Sequence, residues 1–238
     1  MNSNAVSCRK VNKIFAQGEL AVHALSNVDL EIAGGGFVCL SGPSGSGKTT
    51  LLNMIGGLDC PSSGEITVAG QRIDQMSLSD LAELRLQHIG FVFQAYNLIP
   101  VLSARENIEF VMQLQGVPAG ERLQRAMVIL HEVGLDGMED RRPGELSGGQ
   151  QQRVAVARAI VSKPALILAD EPTANLDSVT AEKLMQLMRE LNSQIGTTFV
   201  ISTHDKLMMS YAKRLIKLHD GKIIDDIDQN NRQDDRQE

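Results

Sequence analysis

An α/β fold organised on a parallel sheet is what this sequence predicts, and three observations predict it. Gly42-Pro43-Ser44-Gly45-Ser46-Gly47-Lys48-Thr49-Thr50 fits G-x-x-x-x-G-K-[ST], between the apolar run Phe37-Val38-Cys39-Leu40 and the helix-spaced Leu51, Leu52 and Ile55. Ala165-Leu166-Ile167-Leu168-Ala169 is continuously apolar, the pattern of a strand covered on both faces of a parallel sheet. That run ends in two adjacent carboxylates, Asp170 and Glu171. The first pattern reads as a phosphate-binding loop.

With 238 residues, 42% of them hydrophobic, the chain can bury a sizeable core, and we expect one nucleotide-binding domain with an inserted subdomain. A net charge of −6, with no basic cluster denser than Arg141-Arg142, argues against a nucleic-acid partner. Cys8, Cys39 and Cys60 are odd in number and widely spaced, which suggests neither a disulfide framework nor a zinc site and fits a reducing cytoplasm. No signal-peptide core or window of ~18 apolar residues is found, so a soluble chain is expected.

In chain order, Val6 to Phe15 and Leu25 to Ile32 read as strands, the second alternating Val28, Leu30 and Ile32 against Asp29 and Glu31. Phe37 to Leu40 leads into the phosphate loop, and Thr49 to Ile55 is a helix. Gly64 to Gly70 is a turn, strand and turn; Leu78 to Gln87 is a helix begun by Ser77 or Ser79; Ile89 to Phe93 is a strand. Ser103 to Gln115 and Glu121 to Val133 are amphipathic, with no strand between them, and predict a helical insertion. Gln151 to Val161 continues it after the Gly-rich stretch Pro143 to Gln150. Asp177 caps a helix over Ser178 to Leu191, and Thr197 to Ser202 is another buried strand. Arg214 to Leu218 and Lys222 to Ile227 pair around Asp220-Gly221, and 229–238 is polar enough to be disordered. Met185, Met188, Met208 and Met209 fit core filling.

Chemistry follows from where the polar residues fall. Triphosphate oxygens need converging backbone N–H donors, and Gly42, Gly45 and Gly47 let the chain wrap that closely. Lys48 reaches the β- and γ-phosphates, and the Thr49 hydroxyl can ligate Mg²⁺. Adjacent carboxylates at a strand end need a cation nearby; Asp170 would hold the metal and Glu171 polarise a water. Gln94 and His204 also stand at carboxyl ends of strands, the edge where open α/β sheets bind ligands. Gln94 is a candidate for the metal or the attacking water, or else a hydrogen-bonded turn residue; His204 could donate to a γ-phosphate, or be structural. Phe15 could stack on an adenine ring, although its residue type favours core packing. The apolar cluster Tyr96, Leu98, Ile99, Pro100, Val101 and Leu102 has no obvious partner in a small subdomain and suggests an interface.

The phosphate loop, Gln94, Leu146-Ser147-Gly148-Gly149-Gln150, Asp170-Glu171, Asp177 and His204 occur in the order and spacing of an ABC-type ATPase, which the chain resembles over nearly its whole length. The resemblance implies a P-loop NTPase core with an antiparallel β subdomain and an inserted helical subdomain at about 95–162, all within one domain over 1–228. It also implies ATP and Mg²⁺. Pro43, Ser44, Ser46 and Thr50 join the glycines, Lys48 and Thr49 around the nucleotide; Phe15 becomes the adenine-stacking aromatic; and Gln94 and Asp170 join Thr49 at the metal. Ser147, Gly149 and Gln150 form the signature that closes on the γ-phosphate held by an opposite subunit. Glu171 is the catalytic carboxylate, His204 the switch histidine, and Asp177 belongs to the loop between the two sites.

Gly56-Gly57-Leu58-Asp59, Phe91-Val92-Phe93-Gln94, Asn97-Leu98-Ile99-Pro100, Glu106-Asn107-Ile108 and Leu168-Ala169-Asp170-Glu171-Pro172-Thr173 are similar to the LolD and MacB group, which serves lipoprotein release, export and mechanotransmission. Implied partners are a second copy placed head to tail, a separate permease and a periplasmic adaptor, at the cytoplasmic face of the inner membrane. Phe15 in place of the commoner Tyr, and Ala174-Asn175 in place of Gly-Asn or Gly-Ala, are the two departures. A chromosomal or ribosomal ABC protein would need inserted heptads or tandem domains, and a degenerate regulator would lack Lys48, Glu171 or Ser147; neither pattern is present.

Overall fold

The computed structural model describes residues 4–17 and 20–229. Two strands come first, β1 (Asn4–Gln17) and β2 (Leu20–Ala33), then β3 (Phe37–Ser41), helix α1 (Lys48–Ile55), β4 (Ser63–Val68), β5 (Gln71–Arg72), α2 (Leu78–His88) and β6 (Ile89–Phe93). Three helices stand between β6 and the next strand: α3 (Ala104–Leu114), α4 (Ala119–Glu132) and α5 (Gly148–Ile160). The chain then runs through β7 (Leu166–Asp170), α6 (Ser178–Ile195), β8 (Thr198–Thr203), α7 (Lys206–Met209), β9 (Arg214–His219) and β10 (Lys222–Asp228).

Two sheets result. The first is antiparallel in the order β2-β1-β4-β5, and the second runs β10-β9-β3-β8-β7-β6. From β9 through β6 every pairing is parallel, and β10 closes the edge as a hairpin with β9. One apolar core fills the space between the antiparallel sheet, the parallel sheet, α1 and α2, with Val28, Leu30 and Ile32 all buried as their alternation requires. A second lies on the opposite face of the parallel sheet under α3 to α6, and takes in Met185, Met188 and Met208. Strands β3, β7 and β8 are buried on both faces because helices or the other sheet cover each side, which is why they read as unbroken apolar runs.

Local chemistry fixes the boundaries. Ser77 caps α2 through Asp80 N–H, and Ser103 with Glu106 forms a reciprocal capping box on α3. The sequence reading misses β5 and α7, which are two and four residues long, too short for a period to show. It also starts α5 three residues late. Gly148 and Gly149 suggest a loop, yet Ser147 and Gln150 form a capping box that winds them into the first turn. The expected disordered tail lies outside the described residues except for Gln229, whose N–H donates to Lys213 O at 2.8 Å.

Candidate active site

The carboxyl ends of β3, β6, β7 and β8 open onto one cleft of about 640 Å³, lined by Pro43 to Thr50, Val22, His23, Ala24, Gln94, Glu171, Ala174 and His204. That volume suits a nucleotide-sized ligand. A groove of about 920 Å³ over the other side of the antiparallel sheet holds none of the phosphate-loop residues.

The loop is shaped by two glycines. At Gly42, φ is +152°, and a Cβ would stand 2.2 Å from Leu218 O and 2.6 Å from Ser46 Oγ; at Gly47, φ is +101°, and a Cβ would meet Ala24 O at 2.7 Å. Neither position admits a side chain. Lys48, buried at the start of α1, donates from Nζ to Gly42 O at 2.8 Å and to Pro43 O at 3.0 Å, which keeps its charge at the rim of the loop. Ser46 Oγ is buried with no hydrogen-bond partner, an orphaned polar atom inside the loop.

Across the loop, Asp170 Oδ1 accepts from Thr49 Oγ1 at 3.2 Å and from Ser202 Oγ at 2.5 Å. A carboxylate and a hydroxyl facing a phosphate loop are hard oxygen donors, so these residues fit Mg²⁺. Glu171 is held in the left-handed region at φ 46°, with its N–H donating to both Ser202 O and Ser202 Oγ at 3.1 Å. Its Oε1 lies 2.9 Å from Nδ1 of the exposed His204. The Cys39 thiol beneath the loop is pushed up to about 12, by burial first and then by Glu171, so it stays protonated and inert.

Gln94 follows β6 and lines the cleft, with its carbonyl accepting from Asn175 Nδ2 at 2.9 Å. Asn175, next to the Ala174 that departs from the family pattern, thus ties the turn after Glu171 to the Gln94 loop. Asp177 caps α6 by accepting from the Thr180 hydroxyl at 2.6 Å and from the Val179 and Thr180 N–H groups; the Thr180 bonds hold its carboxyl below the usual range.

Two groups of expected residues stand apart. Ser147, Gly149 and Gln150 open α5 outside the lining of this cleft. Their glycines have packing roles within the chain: a Cβ at Gly148 would meet Tyr96 Oη at 2.8 Å, and one at Gly149 would meet Thr180 Cγ2 at 2.5 Å. Phe15 also lies outside the lining. It is 42% exposed, with Lys13 Nζ 4.8 Å from its ring centre, so the core packing favoured by its residue type is not what forms. The reason is topological: β4 pairs with β1 only as far as Asn12, and beyond it β1 and β2 run on as a two-stranded hairpin, held at its base by Lys13 on Asp59 and by Ile14 N–H donating to Ser62 Oγ at 3.0 Å. Val22, His23 and Ala24 of that hairpin reach the cleft instead, and their sequence carries no signal that marks them.

Residues 25–174 match the family described as ABC transporter. The chain belongs to that family. It is an ATP-binding, ATP-hydrolysing cassette of the transporter kind, and its fold is that of a solved cassette, MJ0796, with a TM-score of 0.87 and 43% identity over 94% of this chain and 98% of that one. That structure is a dimer in a post-hydrolysis state bound to ADP and Pi. Among curated relatives, LolD of Francisella tularensis, a lipoprotein-releasing system ATP-binding protein, is 43% identical over 94% of this chain and 97% of its own length. MacB of Mannheimia succiniciproducens, a macrolide export ATP-binding/permease protein, is 44% identical over 94% of this chain, which spans 34% of that relative's length.

Proposed function

We propose that this cassette acts as a head-to-tail homodimer that powers a permease of the LolD and MacB kind, with each ATP held between the phosphate loop of one copy and the Ser147 signature of the other. One observation carries the reading: the phosphate loop, Glu171 and His204 line one cleft, with Asp170 bonded to Thr49 behind it, whereas the capped helix start bearing Ser147, Gly149 and Gln150 lies outside its lining. A single chain therefore presents two incomplete halves. The dimeric state of MJ0796 supports the pairing.

In this reading, the backbone from Pro43 to Thr50 and the Lys48 charge bind the phosphates. Thr49, Asp170 and Gln94 would hold Mg²⁺, which would supply positive charge against the phosphates. Glu171 accepts a proton from the attacking water, and His204, bonded to the same carboxylate, keeps it pointed at that water. Phe15 stacks on the adenine from the hairpin tip. The domain spans 1–228 with the helical part at 95–162, and the cassette sits at the cytoplasmic face of the inner membrane through its permease, with a periplasmic adaptor on the far side. Support for a separate permease chain is the match along 97% of a LolD named as the ATP-binding protein of its system.

Glu171→Gln keeps the phosphate contacts but cannot take the proton, so with Mg·ATP it should sediment as a dimer and hydrolyse nothing measurable. Ser147→Arg in the same background should sediment as a monomer, because bulk and charge occupy the seat of the γ-phosphate. A monomer for Glu171→Gln at saturating ATP contradicts the shared site.

A further inference from the structure

The loop that carries Gln94 lies along α5, the helix that Ser147 caps. A Cβ at Gly90 would stand 2.3 Å from Ala159 O, so strand and helix backbones meet directly below the loop. Gln152, fully buried, donates from Nε2 to Phe93 O at 3.4 Å, and the Tyr96 hydroxyl rests against Gly148. At the far end of α5, Arg158 donates from Nη1 to Asn97 O at 2.6 Å and from Nη2 to Tyr96 O at 3.0 Å. These carbonyls belong to consecutive left-handed residues, Tyr96 at φ 59° and Asn97 at φ 49°. Asn takes that conformation readily, but a bulky residue such as Tyr96 holds it at a cost that its surroundings must offset.

The geometry points to Arg158 as the positioning residue that locks the Gln94 loop onto the signature helix, so that Gln94 and Ser147 move as one piece. The inference rests on the roles given above to Gln94 and Ser147. A planar guanidinium can bond two neighbouring carbonyls at once, whereas an ammonium offers a single point charge and no fork. Burial lowers the basicity of Arg158, and the two carbonyls replace the water that it gives up. Ser147 is roughly 16 Å from Arg158 along the helix at 1.5 Å per residue, so Tyr96, with its carbonyl on Arg158 and its hydroxyl against Gly148, ties the loop to both ends of α5. The fork thus makes α5 the rigid link between the group that senses one nucleotide and the group that closes on the other.

The test uses the full chain carrying Arg158→Lys and Arg158→Gln, read by amide exchange without nucleotide and by turnover with it. Exchange at residues 94–97 should rise at least tenfold in both variants while β7 and β8 keep wild-type protection. kcat should fall about tenfold for Gln and less for Lys, with the Kd for ATP within twofold of wild type, because the phosphate loop is untouched. Arg158→Lys alone carries the test if the Gln variant loses cooperative melting. Unchanged exchange at 94–97 in the Lys variant overturns the proposal. So does a rise spread over the whole chain with Kd weakened in step, the mark of general loosening. The exchange measurement does not depend on hydrolysis or on assembly, so it stands apart from failure of the shared-site reading, which would show as a Glu171→Gln chain that stays monomeric at saturating ATP.

Discussion

The phosphate loop and the Ser147 helix start, the two halves of the proposed shared site, are both glycine-rich and both open a helix, yet they use glycine for different reasons. In the phosphate loop, Gly42 and Gly47 have positive φ and press against backbone carbonyls, and Lys48 is turned onto the loop's own oxygens. At the signature, Gly148 and Gly149 lie in the first turn of a helix, and what excludes a side chain is the neighbouring side chains Tyr96 and Thr180. The first loop is a rigid cradle already facing Asp170 and Glu171. The second is a capped helix end whose fit depends on how α5 sits against the Gln94 loop and α6. A fixed half can bind nucleotide alone, and a half mounted on packed helices can be moved.

Removing the loop's charge is the sharpest way to test the fixed half. Lys48→Ala should lower turnover by about 10² to 10³-fold, the loss typical when one preorganised electrostatic contact to developing charge is removed. Steady-state hydrolysis at saturating Mg·ATP measures it, and wild-type turnover would remove the loop from the reaction. Next in size is Gly42→Ala, where the new Cβ meets the Leu218 carbonyl, a backbone atom that cannot swing aside. We expect more than about 4 kcal/mol of lost stability, or no folded protein, on denaturant titration. Gly45→Ala gives the contrast within the same loop. Gly45 has φ +78° with open space around it, so only about 1–2 kcal/mol of backbone strain is expected.

At the movable half, Gly149→Ala drives a methyl into Thr180 Cγ2, an overpacking expected to cost about 1–3 kcal/mol. Thr180→Ser removes that methyl group and keeps the hydroxyl that bonds Asp177, so the double variant should regain most of the loss. Melting curves of the two single variants and the double variant form the cycle. If the double variant melts no higher than Gly149→Ala, the glycine is not there for packing on α6.

Much of this arrangement is legible in the sequence because its signals are local. The buried strands β3, β7 and β8 show as apolar runs, the amphipathic period from Ser103 to Gln115 marks α3, and the phosphate loop has its motif. What escapes depends on contacts distant in sequence. Val22 to Ala24 line the cleft only because β1 and β2 extend past β4, and Phe15 is exposed for the same reason. The start of α5 is hidden because glycine propensity argues for a loop while the Ser147 and Gln150 caps decide for a helix. Arg158 looks like one more charge on an amphipathic helix until the fold brings Tyr96 and Asn97 to it.

The smallest effect concerns the apolar cluster after Gln94, which reads in sequence as a single unpartnered patch and which the structure divides. Leu98 is half-buried and packs against the core under α3 to α6, and buried Asn107 closes the turn by donating to Ile99 O, Leu102 O and Ser103 O and accepting from Ile99 N–H. Val101 is 71% exposed on the outside of that turn. A charge at Leu98 therefore enters a desolvated site and should cost about 3 kcal/mol, whereas Val101→Asp should stay within about 0.5 kcal/mol of wild type. If the rim around Val101 is where the permease docks, Val101→Asp should fold, hydrolyse ATP at the wild-type rate and lose the permease in a pull-down, because an aspartate there must be desolvated against the partner. Unchanged capture would move the docking surface elsewhere, to a part of the helical layer not held by the Asn107 turn. Capture lost together with hydrolysis would instead show that this turn, though exposed, still sets the position of Gln94.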